Sequence, residues 1–197
     1  GSLEIFTDVS AIIDKGSRVV ILGLNGAGKT TLLRILAGEL ESDTGSVAHG
    51  QGLKIGYYAQ EHESLDFERT ILENMMSATA NIREPEARNV LGSFLFSGDD
   101  VHKLVKVLSG GERTRLALAT LVVSAANVLL LDEPTNNLDP ASRDEILAAL
   151  SEYQGAVILV SHDEGAVQAL KPERVILLPD GDEDLWKEEY FDLVTID

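Results

Sequence analysis

The sequence predicts an α/β fold with a mainly parallel β-sheet, an antiparallel β edge and a small helical subdomain. Short apolar runs at Arg18–Leu22, Asn127–Leu131 and Ala156–Val160 are bounded by polar residues, which is typical of strands buried in a parallel sheet. Segments with helical spacing follow these runs, for example Thr31–Ala37 and Ser142–Tyr153. This alternation of strand and helix indicates an α/β core.

A glycine-rich loop joins the first run to the helix that follows it. Residues 23–30 read GLNGAGKT, the G-x-x-x-x-G-K-T pattern of phosphate-binding loops, here between a strand and a helix as that pattern requires. Glycines let backbone N–H groups approach a phosphate, and the helix start adds its positive dipole end. We expect Lys29 to reach the β- and γ-phosphates of a bound nucleotide and the Thr30 hydroxyl to bind Mg²⁺. The predicted nucleotide-binding residues are Gly23, Leu24, Asn25, Gly26, Ala27, Gly28, Lys29, Thr30 and Thr31.

Two carboxylates follow the second apolar run. Asp132 and Glu133 close this predicted strand, and parallel strands present functional groups at their C-terminal ends, beside such a loop. We expect Asp132 to bind Mg²⁺. We expect Glu133 to orient and polarise a water molecule that attacks the γ-phosphate.

A second helix start could also hold a phosphate. Ser109, Gly110, Gly111 and Glu112 open a helical segment, so backbone N–H groups and a positive helix end again form an anion site. Since only one of the two helix starts lies beside Lys29, the second is suited to a nucleotide held by a different domain.

Length and composition limit the possible classes of protein. The chain has 197 residues, enough for one α/β domain, and we predict a single domain over 1–197 with a helical insertion at about 66–125. It has no cysteine, which excludes disulfides and thiolate metal sites. A net charge of −17 disfavours a nucleic-acid-binding face. With no membrane-spanning run and no signal peptide in the sequence, we expect a soluble, cytoplasmic protein without membrane insertion.

The other segments are assigned from their spacing and turn residues. The first helix should end at Gly38, and the tail from Glu183 is predicted as a helix with an aromatic face. The remaining predictions are strands at Leu3–Ile13, Val47–His49 and Leu53–Tyr58, helices at Thr70–Met76, Glu86–Leu91, Leu116–Val123 and Asp163–Leu170, and an outer strand at Arg174–Leu178.

Taken together, these motifs resemble the ATP-binding cassette (ABC) ATPases. The chain reads LSGGE at 108–112, between the phosphate loop and LLLDEPTNNLD at 129–139, and the resemblance covers essentially the whole chain. It implies that Gln60 touches Mg²⁺ and the attacking water, that Asp139 lies at the interface with a second cassette, and that His162 senses the γ-phosphate. It also implies Mg²⁺ held by Thr30, Gln60 and Asp132, catalysis by Glu133, His162, Gln60 and Lys29, and a partner nucleotide bound by Ser109, Gly110, Gly111 and Glu112.

The sequence of the LSGGE segment, the signature of this family, makes the resemblance specific to one branch of the ABC ATPases. LSGGE followed by RTRLA, and EPTNNLD after it, look like the ABC-F branch, whose tandem cassettes act on ribosomes. The ending of the chain looks like that of a second, C-terminal cassette. That branch implies a companion cassette as partner, and contact with ribosome and tRNA through parts outside this chain. Two alternatives stay open: the ATPase subunit of a membrane transporter, and a module in which ATP is a structural switch with negligible turnover.

Overall fold

The sheet is mixed and mostly parallel, as the sequence predicts. The computed structural model describes residues 13, 16–42, 45–47, 49, 52–59 and 64–196. Within them, six strands are arranged in the order β2-β3-β4-β1-β5-β6. The strands are β1 (Arg18–Leu22), β2 (Ile55–Tyr58), β3 (Val128–Asp132), β4 (Ala156–Val160), β5 (Arg174–Leu177) and β6 (Asp182–Leu185).

The central strands are parallel to each other and buried. β1 pairs in parallel with β4 and β5, and β3 pairs in parallel with β4. All five residues of β4 are buried. On one side of the sheet, Ile21, Leu130 and Ile158 form a buried cluster with Leu33, which lies in the helix that follows β1. Each such aliphatic side chain contributes about 1.5–3 kcal/mol on burial, so the apolar runs fix the sheet.

The antiparallel edge lies at the C-terminal end of the chain. β6 pairs antiparallel with β5, after a turn in which Gly181 has φ +81° and donates its N–H to the Leu177 carbonyl. The prediction of a helix from Glu183 is therefore wrong at its start, where residues 183–185 belong to β6, because the turn returns the chain to the open edge of β5. For the same reason β5, predicted as an outer strand, has neighbours on both sides.

Helices follow the strands in chain order. The first helix ends at Leu36, and Gly38 has φ +81°, in agreement with the predicted stop. Val47 and His49 lie outside any strand, and the next strand begins at Ile55 rather than Leu53. The predicted strand at Leu3–Ile13 lies, apart from Ile13, outside the described residues. The helices are α1 (Lys29–Leu36), α2 (Ile71–Ser77), α3 (Glu84–Ser93), α4 (Gly110–Val123), α5 (Pro140–Ser151), α6 (Glu164–Leu170) and α7 (Phe191–Val194).

The chain divides into two compact units. The first comprises residues 1–57, 127–133 and 154–197 and holds nearly all of the sheet. The second comprises residues 58–126 and 134–153 and packs α2, α3, α4 and α5 around buried side chains such as Met75, Phe94 and Leu116. The single domain over 1–197 with an insertion at about 66–125 stays a prediction. Among the described residues, no helix has the length and apolar character needed to cross a membrane.

Candidate nucleotide site

The phosphate loop lies between β1 and α1 in the first unit. Gly28 is the N-terminal cap of α1 and has φ +101°, a left-handed conformation that a side chain disfavours. Ala27 is buried and donates its N–H to the Leu24 carbonyl, which closes the turn, whereas Leu24 and Asn25 are exposed. The backbone N–H groups of Lys29, Thr30 and Thr31 therefore lie in the first turn of a helix, as anion binding requires.

Lys29 projects its ammonium group back over this loop. Its side chain is buried, and Nζ donates a hydrogen bond to the Gly23 carbonyl. The same Nζ lies 3.4 Å from Nε2 of His162, which follows β4. A cation is thus held at the mouth of the loop before any phosphate arrives.

An oxygen pair lies beside the loop. The Thr30 hydroxyl donates to Oδ2 of Asp132, the last residue of β3, over 2.8 Å. Burial raises the pKa of Asp132, and the Thr30 hydrogen bond and the Lys29 charge oppose that rise. Mg²⁺ takes oxygen ligands at about 2.0–2.1 Å in an octahedron, whose edge is then about 2.9 Å, so this pair fits two adjacent positions. The predicted third ligand, Gln60, lies outside the described residues.

Glu133 is held in a turn at the end of β3. Its φ is +48°, unusual for a side chain other than glycine, and its N–H donates to the Val160 carbonyl over 2.8 Å. Its Oε2 accepts the backbone N–H of His162 over 3.2 Å. Within the described part of the chain, the buried Oε1 has no hydrogen-bond donor, and His162 Nε2 lies 3.4 Å away. Burial raises the pKa of Glu133, and an acceptor of this kind is suited to a water molecule.

His162 is fixed from two sides. Its Nδ1 lies 3.2 Å from the carbonyl oxygen of Val194 in α7, while Nε2 faces Lys29 and Glu133. The structure therefore brings together the predicted residues Lys29, Thr30, Asp132, Glu133 and His162. Sequence reasoning missed Val194, because a backbone carbonyl leaves no signal in a motif.

The predicted signature opens α4 in the second unit. Ser109 caps the helix: its hydroxyl accepts the Glu112 N–H over 3.2 Å, and the Glu112 carboxylate accepts the Ser109 N–H over 3.1 Å. A Cβ added to Gly111 would lie 2.8 Å from the Asn137 carbonyl, whereas one added to Gly110 would meet nothing within 4 Å. Gly111 is thus required for packing, whereas the space beside Gly110 would admit a side chain.

Asp139 caps α5 in the same unit. Its carboxylate accepts from the Ser142 N–H and hydroxyl, over 3.1 and 2.7 Å, and these hydrogen bonds lower its pKa. Its role as the N-terminal cap of α5 is enough to explain an aspartate at position 139. Its predicted place at an interface between cassettes stays a prediction.

Comparison with known proteins identifies the family. The sequence profile of the ABC transporter family matches residues 6–136. The chain belongs to this family of ATP-binding cassette ATPases. The cassette is 44% identical over 159 residues to the putative ATP-binding protein YdiF of Bacillus subtilis (81% of the chain, 25% of YdiF). It is 42% identical over 182 residues to the probable ATP-binding protein YbiT of Escherichia coli O157:H7 (87% and 34%).

A third relative is named as a member of sub-family F of the ATP-binding cassette proteins. The cassette is 40% identical over 164 residues to a probable ATP-binding cassette sub-family F member 3 homolog of Encephalitozoon cuniculi (83% of the chain, 29% of that protein). This relative and its companions confirm the resemblance to ABC-F-type proteins. The cassette spans about a quarter to a third of the length of these curated relatives.

Solved structures confirm the fold. The ATP-binding cassette MJ0796, described as a dimer in a post-hydrolysis state bound to ADP and phosphate, matches with a TM-score of 0.75. The match covers 93% of this chain and 91% of that one at 24% identity, so it establishes the α/β cassette fold.

Proposed function

We propose that this cassette binds and hydrolyses Mg-ATP at a composite site formed with a second cassette. The observation that supports it best is the convergence of Lys29, Thr30, Asp132, Glu133 and His162 at the phosphate loop. The loop N–H groups and the Lys29 ammonium bind the β- and γ-phosphates and offset their charge. Thr30 and Asp132, with Gln60 as a further ligand, would hold Mg²⁺, which when bound supplies charge neutralisation at the phosphate oxygens.

We assign the activation of the attacking water to the buried carboxylate of Glu133. Among the described residues no group donates a hydrogen bond to Glu133 Oε1, so this oxygen can accept a proton from a water aligned with the γ-phosphate. Oε2 is held by the His162 N–H, which fixes the direction of the carboxylate. His162 Nε2 lies beside both Glu133 and Lys29, where the γ-phosphate would be bound.

The second cassette would supply its own signature. The helix that begins at the signature lies in a unit other than that of the loop, and its first residues, Ser109 and Gly110, are exposed. We assign the signature, residues 109–112, to the nucleotide of the opposite cassette, with Asp139 at the interface. Hydrolysis would then remove the γ-phosphate that both cassettes hold, and the pair could open.

We assign the whole protein to ABC-F-type action on the ribosome, in the cytoplasm. Its relatives and the LSGGE signature support this branch. The charge of −17 argues against a nucleic-acid face on this cassette, so ribosome and tRNA contacts would use other parts of the protein. Co-sedimentation of the full-length protein with ribosomes tests the assignment, and a protein that never sediments with them contradicts it.

A second candidate is the ATPase subunit of a membrane transporter. The matching profile is described as ABC transporter, and a similar structure as a bacterial ABC transporter cassette, which favours it. Co-purification of the full-length protein with integral membrane subunits, and absence from ribosomes, would select this alternative.

A variant of Glu133 tests the catalytic assignment. Glu133→Gln should keep ATP binding but slow single-turnover phosphate release by roughly two or more orders of magnitude, since the amide cannot take the proton. Glu164→Gln, at the exposed start of α6, is the matched control and should behave as wild type. Release at the wild-type rate by Glu133→Gln would remove Glu133 from catalysis.

A further inference from the structure

The ring of His162 makes a contact on the side away from the phosphate loop. Nδ1 lies 3.2 Å from the carbonyl oxygen of Val194, at the end of α7, while Nε2 lies 3.4 Å from both Lys29 Nζ and Glu133 Oε1. The two ring nitrogens therefore have separate tasks, and only one of them faces the reacting groups.

The chemistry of the contact fixes which nitrogen carries hydrogen. A carbonyl oxygen accepts and cannot donate, so Nδ1 must be the N–H donor to Val194. In the neutral ring Nε2 is then an acceptor, and the adjacent Lys29 ammonium is a donor that suits it. Whatever its protonation, the ring presents Nε2 to the site.

The segment that carries this carbonyl is packed in place. The Val194 side chain is 1% exposed. Ahead of it, the Trp186 ring contacts the rings of Tyr190 and Phe191 at 5.9 and 5.1 Å between centroids, and the Tyr190 hydroxyl donates to Asp184 of β6. The C-terminal edge of the sheet thus holds α7 against His162, although no motif includes it.

We propose that α7 is a positioning element of the ATPase site, in which the Val194 carbonyl holds His162 as the Nδ1–H tautomer, with Nε2 accepting from the Lys29 ammonium and the ring held beside Glu133. This rests on the role given to His162 in the proposed function. Backbone hydrogen bonds to the remote nitrogen orient histidines in many sites, where they fix the tautomer. Val194 is a positioning residue, which acts through His162.

The tautomer can be measured without any turnover. Nitrogen-15 NMR of histidine-labelled protein, with the His162 signals assigned from a His162→Asn spectrum, should show Nδ1 protonated at a pH where the ring is neutral. Val194→Ala, which loosens the buried end of α7, should move His162 toward the Nε2–H form. Leu193→Ala, on the same helix but 39% exposed, is the matched control and should leave the spectrum unchanged.

Kinetics then connect the tautomer with the reaction. Val194→Ala should lower kcat for phosphate release about tenfold with KM for ATP nearly unchanged, a smaller loss than the 10²-fold that a displacement of about 1 Å can cause. Wild-type protein with the Nε2–H form, or a Val194→Ala spectrum identical to wild type, would overturn the inference. If Val194→Ala does not fold, the wild-type spectrum still decides. If the wild-type cassette shows the Nδ1–H form but the full-length protein hydrolyses no ATP, the proposed function fails while the positioning contact stands.

Discussion

At the scale of single residues, the site holds two buried carboxylates whose charge the described residues compensate only in part. Glu133 is buried with one oxygen that lacks a donor among the described residues, and Asp132 is buried beside it. Both have pKa values raised by burial. Their cost to stability is the expected consequence of a site shaped for a water and a cation.

Glu133→Gln should stabilise the cassette without nucleotide at neutral pH. Because burial raises the pKa of Glu133 in the folded state, the folded chain binds more protons than the unfolded chain above the ordinary glutamate pKa of about 4.3, and stability falls as pH rises. Glutamine removes this effect. Urea unfolding from pH 4 to pH 8 should show a gain for Glu133→Gln that grows with pH. A gain that is absent at pH 8, or equal for Glu164→Gln, would contradict this explanation.

Lys29→Ala should weaken ATP binding by about 10- to 100-fold, since hydrogen bonds to charged groups contribute about 1.5–3 kcal/mol. The ammonium already lies at the loop, held by the Gly23 carbonyl and beside His162. Equilibrium binding of a fluorescent ATP analogue measures the loss. Arg34→Ala, on an exposed face of the same helix, is the control, and equal affinity of Lys29→Ala and this control would refute the role of Lys29.

At the scale of elements, the two glycines that open α4 have different reasons to be glycine. Gly111→Ala should destabilise the cassette by roughly 1–3 kcal/mol, because its Cβ would meet the Asn137 carbonyl at 2.8 Å and a backbone atom gives way poorly. Gly110→Ala meets nothing within 4 Å and should leave stability unchanged or slightly raised, since Gly110 is the first residue of the helix and not in its interior. Thermal unfolding of both variants distinguishes them, and equal melting temperatures would contradict the difference in packing.

The elements also show what sequence can and cannot predict. The buried strands and the phosphate loop were predictable, because apolar runs and the G-x-x-x-x-G-K-T pattern depend on local residues. The tail was not, since the acidic stretch Asp182–Leu185 has no strand pattern and becomes a strand only because the Gly181 turn places it beside β5. The contact of the Val194 carbonyl with His162 could not be predicted for a related reason, because it is a long-range contact made by the backbone.

At the scale of the whole molecule, the predicted phosphate loop and the predicted signature fall in different units. The loop, the carboxylates and His162 belong to the first unit, and Ser109 and Gly110 to the second. Two isolated copies would have to pair head to tail against a charge of −17 each, so activity per molecule should rise with concentration and with moderate salt.

The composite site is tested most directly by mixing two inactive variants. Lys29→Ala lacks the loop cation, and Gly110→Asp adds a negative charge beside the phosphate that the signature would bind, at a helix start where aspartate is tolerated. Each alone should release little phosphate. An equal mixture should recover activity in part, because a head-to-tail pair joins the intact loop of one copy to the intact signature of the other. Gly110→Asp active at the wild-type rate, or a mixture no more active than the sum of its components, would contradict the composite site.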